Sequence, residues 1–169
     1  MRPLPAPAPK GARENVILFT VAGFKLAIAA GAVNEIRNAD GLKPFPISAS
    51  HRVMAKVDYT LERNGTTFFV VNAARHFGLA STSGSRVLVL RHTAAAVLVD
   101  STDRMMEITL LHSLPMAFIR EERDWYRGLA VLNGEVLPVV NPAAFLSRGE
   151  AAVLRALTEL QVAPGVAVG

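Results

Sequence analysis

No cysteine occurs among the 169 residues. That absence removes disulfides, thiolate nucleophiles and cysteine-based metal sites, and it fits a reducing compartment. No apolar stretch approaches the roughly 18 residues needed to span a bilayer. The opening residues, Met1 to Lys10, lack the apolar run of about 7–15 residues that marks a secretory signal. The expectation is a cytoplasmic protein with no direct membrane insertion.

Catalytic signatures are missing too. His51, His76, His92 and His112 are far apart in sequence, and none stands in a His-x-x-x-His or His-Glu-x-x-His arrangement. Ser83-Gly84-Ser85 is too short to cradle a phosphate, and no Gly-x-Ser-x-Gly elbow is present. Asp100 and Asp103 follow an apolar run and read either as an acid pair or as caps of the turn after a strand. No cluster combines base, nucleophile and oxyanion site, so the expectation is a non-enzyme without metal or cofactor.

Lysine is scarce, with 4 against 14 arginines in a chain of net charge +4. A basic field can hold nucleic acid or an anionic surface. Here the densest group, Arg120, Arg123 and Arg127, is interleaved with Glu121, Glu122 and Asp124, which cancel it locally. Nucleic acid is therefore not expected as a partner, and a basic β-barrel that binds it stands as the outside alternative.

What the chain does have is a repeat. Asn-Gly-x-x-x-x-Val-Val-Asn-x-Ala occurs at Asn64 to Ala74 and again, about 69 residues later, at Asn133 to Ala143. Self-similarity at a fixed offset marks a duplicated structural unit. Within each copy, Asn-Gly suits a two-residue turn with positive φ at both positions. The β-branched and aromatic run after it suits a strand. Asn72 and Asn141 then suit the N-cap of a short helix, with Pro142 at a first helical position. The segments Glu14 to Ile36 and Ser85 to Ile108 repeat at a similar offset. Short strands separated by turn signals point to an all-β fold of two small barrels sharing a core.

Along the chain, residues 1–13 read as an extended Pro/Ala-rich arm. Strands are expected from Val16 to Val21 and from Phe24 to Ala29, around a turn at Ala22-Gly23. Ala32 to Asn38 reads as a short helix, and Leu42 to Ser50 as a proline-bearing loop. Tyr59 to Arg63 and Thr66 to Val71 form the first hairpin. The small, polar stretch Ala80 to Ser85 falls where the duplication predicts a boundary. The first barrel then covers roughly residues 14–80 and the second roughly 85–147, with a long loop from Leu111 to Arg123. Ser147 and Glu150 have capping-box spacing. Val153, Leu154, Leu157 and Leu160 recur at helical intervals. A C-terminal helix over 148–161 should cover a barrel end or edge, leaving a tail at 163–169.

These residues resemble the CheW-like domain family. The order Phe19-Thr20-Val21, Leu26-Ala27-Ile28 and Val33-x-Glu35-Ile36 resembles its opening. Val99-Asp100 resembles a buried strand end near its middle, and Gly128 to Gly134 with Val136 to Val140 resembles its closing segment. The likeness covers roughly residues 14–162. It implies two pseudo-symmetric five-stranded SH3-like barrels with short connecting helices and a C-terminal helix. It also implies an adaptor that couples the regulatory domain of a CheA-type histidine kinase to the cytoplasmic tips of chemoreceptors. An alternative is a diverged module that binds a kinase or other signalling partner without receptor coupling.

The expected partner surface is Val33, Glu35 and Ile36 with Arg63, Asn64 and Gly65, although Val33 and Ile36 also read as core and Asn64-Gly65 as a turn alone. The family carries Asn-Leu-Arg-Gly where this chain has Glu62-Arg63-Asn64-Gly65. Its Arg before Gly pairs with the Glu that Glu35 matches. Because a one-residue shift in a strand reverses the face, Arg63 is expected to miss Glu35 unless the hairpin changes register.

Overall fold

The structure, a computed structural model, describes residues 13–45, 55–80, 84–109, 111–118 and 120–162. Most of the arm, the tail, His51, the greater part of the proline loop and the centre of the expected boundary stretch lie outside those residues.

Ten long strands and a short one carry the fold among the described residues. They are β1 (Glu14–Val21), β2 (Phe24–Ala29), β3 (Val33–Asn38), the two-residue β4 (Lys43–Pro44), β5 (Val57–Arg63) and β6 (Thr66–Asn72). After the short helix α1 (Ala73–His76) come β7 (Arg86–Leu90), β8 (Ala95–Val99) and β9 (Ser101–Ile108). Helix α2 (Arg120–Trp125), β10 (Tyr126–Leu132), β11 (Glu135–Val140) and helix α3 (Arg148–Val162) complete the order.

The strands sort into two sheets, in the orders β10-β11-β2-β1-β9 and β3-β7-β8-β6-β5-β4. Reversing the second and leaving out β4 gives β5-β6-β8-β7-β3, which matches the first position by position. The parallel contacts match as well: β11 lies parallel to β2, and β6 parallel to β8. The duplication is therefore real, but the two halves exchange strands. β1 and β2 join the sheet of the second Asn-Gly hairpin, while β7 and β8 join the sheet of the first. Barrels divided at residues 80 and 85 are corrected accordingly, since each draws on both halves of the chain.

That exchange explains the nearly unbroken apolar runs. Ile17, Phe19 and Val21 of β1 lie in a large core with Leu88 and Leu90 of β7 and Val97 and Val99 of β8. The alternate residues Val16 and Leu18 fill a second core with Ala130, Leu137 and Val139. Val87, Val89, Ala96 and Leu98 fill a third with Leu61 and Val70. A strand covered on both faces loses the apolar–polar alternation. The large core thus lies between the sheets, and each sheet also curls around a core of its own.

Local devices hold the ends. Ala22 and Gly23, Asn64 and Gly65, and Asn133 and Gly134 all have positive φ, as the tight hairpin turns require. Asp100 accepts a hydrogen bond from the Ala22 N–H at 2.8 Å, so it secures the turn between β1 and β2. Asn72 caps α1 through the Arg75 N–H, and Asn141 accepts from the Ala143 N–H. Ser147 and Glu150 complete the reciprocal capping box, at 3.0 and 2.9 Å. Leu154 and Ala151 then anchor α3 in the large core beside Phe145. Val153, expected on the apolar face, is half exposed instead.

Two further expectations are overturned. Residues 33–38 form a strand, not a helix, because their backbone pairs with β7 from Val33 against Leu90 to Asn38 against Arg86. Ahead of the strand, Ala30–Ala32 makes a 3₁₀ turn. The expected loop from Leu111 to Arg123 contains the start of α2.

Candidate functional site

Among the described residues β3 is an edge strand whose one neighbour is β7. Its register slips between Val33 and Glu35, a bulge of the kind that re-aims side chains. Residues 34, 36 and 38 are exposed, whereas Glu35 and Arg37 share the opposite, half-covered face. Val33, at 6 % exposure, lies in the large core and has no surface to offer. Its expected place on a partner surface is corrected: it supports the strand from beneath.

Glu35 is the centre of a three-residue charge cluster. One carboxylate oxygen lies 3.3 Å from Arg37 Nε, and the other pairs with Arg63 Nη2. The expectation that Arg63 would miss Glu35 is therefore wrong. Asn64 is a turn residue with φ of 50°, so the alternation of a strand does not run through it. The last strand position of β5 takes up the contact, with Arg63 paired to Thr66 across the hairpin. Glu62, one residue earlier, points the other way and accepts from the Thr67 hydroxyl. The Glu35–Arg63 contact also joins the first strand of the six-stranded sheet to the fifth, which shows how far that sheet curls.

The structure thus brings together Glu35, Arg37 and Arg63, with the exposed Asn64-Gly65 turn next in the chain. Ile36 projects from the other side of the same edge and is 39 % exposed. A partner gripping this edge would meet an apolar side chain on one face and a balanced charge cluster on the other. Arg37 was not anticipated, yet its signal was available: residues i and i+2 of a strand share a face.

A second feature escaped the sequence altogether. A cavity of about 620 Å³ opens between β2, β11 and the two short helices, walled by Phe24, Phe77, Trp125, Tyr126 and Pro138. Phe24 and Val136 at its mouth are 58 % and 60 % exposed. Behind it His76 is buried, its ring centroid 4.8 Å from Phe145, 4.9 Å from Phe77 and 5.6 Å from Trp125. Burial, with the Lys56 ammonium adding to it and Glu150 opposing, lowers the His76 pKa from 6.5 to about 4. Burial pushes the Glu150 carboxyl up, but the Ser147 N–H and the Lys56 ammonium outweigh that and leave it below its ordinary value. Among the described residues no group of three or more His, Cys, Asp or Glu side chains could hold a metal ion. No helix there is long and apolar enough to cross a membrane.

A family model described as CheW-like domain matches residues 15–150. No curated protein matches the chain. Among solved structures, the scaffolding protein TtCheW from Thermoanaerobacter tengcongensis superposes with a TM-score of 0.65 at 13 % identity. The superposition covers 80 % of this chain and 94 % of that one.

Proposed function

This chain belongs to the CheW-like domain family, and from that premise we propose that it is a cytoplasmic scaffold joining a CheA-type histidine kinase to chemoreceptors. Its work is binding, not turnover. The observation that carries the reading is the Glu35–Arg63 pair at the exposed edge of β3. The family's guanidinium is displaced by one residue in the sequence, yet a guanidinium still meets the carboxylate. This favours a working coupling surface over a diverged module that has lost its receptor.

On this reading Ile36 supplies apolar contact, Glu35, Arg37 and Arg63 supply charge register, and Asn64-Gly65 shapes the rim. Charges at such a rim tune specificity and association rate more than raw affinity. Parallel capture of a CheA-type regulatory domain and of a receptor tip by the purified chain tests the proposal. Retention of both supports it; retention of the kinase domain alone leaves the diverged-module alternative standing; retention of neither removes both.

A further inference from the structure

We propose that the cavity around Trp125 is a docking groove for this chain's own Pro-rich arm, residues 1–12. The groove has the make-up that recognises such a segment. Phe24, Phe77, Trp125 and Tyr126 give it aromatic walls, and Glu122 and Glu135 stand among its lining residues. Extended Pro-rich peptides dock in aromatic-lined grooves because their backbone is already ordered and little entropy is lost.

The arm matches in sequence: Met1-Arg2-Pro3-Leu4-Pro5-Ala6-Pro7-Ala8-Pro9-Lys10 has proline at alternate positions and a cation near each end. At three residues per turn, Leu4, Pro7 and Lys10 share one edge, so two apolar residues precede a cation on the side that would face the groove. The lining carries two carboxylates, Glu122 and Glu135, and one cation, Lys25, which pairs with Glu135 at 3.8 Å with both side chains exposed, so an added cation there meets a net negative lining. The cavity volume, about 620 Å³, falls within the ~300–1,000 Å³ of ligand pockets.

The arm begins near one end of the groove, the Tyr126 end, while Phe24 lies beside Val21 at the far end of β1. Glu14, at the start of β1, is bonded to Arg127 at 2.9 Å, and Arg127 is the chain neighbour of the groove residue Tyr126. Strand residues alternate in direction, so the arm has to pass around the start of β10, ahead of Leu129, which is bridged to His112. From residue 13 back to Leu4, an extended arm at about 3.1 Å per residue reaches roughly 28 Å.

Trp125 is the chain's single tryptophan and reports on the groove directly. The test compares acrylamide quenching and emission of the full chain with those of a chain lacking residues 1–12. Removing the arm is expected to shift Trp125 emission to the red and to raise its quenching. A synthetic peptide of residues 1–12 should reverse both changes, with half-effect at or below about 1 mM, since a short tether supplies millimolar effective concentration. Phe24→Ser in the full chain, checked for folding by circular dichroism, should mimic the deletion. Identical quenching with and without the arm overturns the proposal, as does a peptide without effect up to about 5 mM. Protection that grows with protein concentration would assign the groove to the arm of a second copy and also overturn docking within one chain.

Discussion

Acidification from pH 6.5 to pH 4 should strip stability from this fold through His76. The imidazole closes α1 at 8 % exposure, and its pKa in the fold is about 4 against 6.5 in the unfolded chain. Above pH 6.5 both states hold it neutral, and its contribution is fully present. Below 6.5 the unfolded chain takes up a proton that the folded chain refuses, so stability falls progressively through about pH 4 and levels off below it, where both states are protonated. The difference, 6.5 minus about 4, is about 2.5 pH units. At about 1.4 kcal/mol per unit the loss is roughly 3 kcal/mol, a large share of the ~5–15 kcal/mol that holds an ordinary domain.

Urea unfolding measured across that window, with the slope of the transition checked for constancy, reads the effect directly. With a slope of about 2 kcal/mol per M, the midpoint should fall by roughly 1.5 M. His76→Leu should be nearly flat from pH 6.5 to about 4.5, whatever its own baseline stability. Glu150, with its lowered pKa, keeps its contribution above its ordinary value of 4.5 and loses it as pH falls from there, so its window opens only at the acid end of the His76 window. A wild-type midpoint that does not move, or a His76→Leu chain that loses as much, would refute the reasoning.

Other outcomes follow from single contacts. Glu35→Arg breaks two partly exposed ion pairs and sets three cations together, which should cost about 1–2 kcal/mol and a few degrees of Tm; the swap Glu35→Arg with Arg63→Glu should recover part of it in a double-mutant cycle. Gly128→Ala should cost about 1–3 kcal/mol, because the added Cβ meets the His112 carbonyl oxygen and, at 2.9 Å, Leu111 Cγ; thermal unfolding reads it. Ser147→Ala should remove about 1 kcal/mol by deleting the hydroxyl that caps α3 at the Glu150 N–H.

The parts of the fold that were legible in the sequence were the local ones. Asn64-Gly65 and Asn133-Gly134 declare their turns because few residue pairs accept two positive φ values. Asn72, Asn141, Ser147 and Glu150 declare their caps because each partner lies within three residues. Which sheet a strand joins is not local information. β1 and β7 read alike because both are buried on two faces, and nothing in their own residues says that each lodges with the other half's hairpin. Val33 to Asn38 has no strong local preference, so pairing with β7 decided its conformation. The site was legible in its residues but not in its geometry. Glu35 and Arg63 were both singled out, while the contact between them depends on where the turn begins. Arg37 shares Glu35's face by simple alternation. The aromatic groove gathers Phe24, Phe77 and Trp125 from three distant segments, and only the folded chain brings them together.

The edge of β3 as a coupling surface is tested most directly by affinity for a CheA-type regulatory domain and a receptor tip, measured side by side for three proteins. These are the wild type, Ile36→Lys and the control Met116→Lys, which alters a 94 % exposed side chain outside this edge. The account predicts that Ile36→Lys loses about tenfold or more for at least one partner, equal to about 1.4 kcal/mol, with its Tm nearly unchanged and Met116→Lys binding as the wild type does. Equal affinities for all three proteins would contradict it.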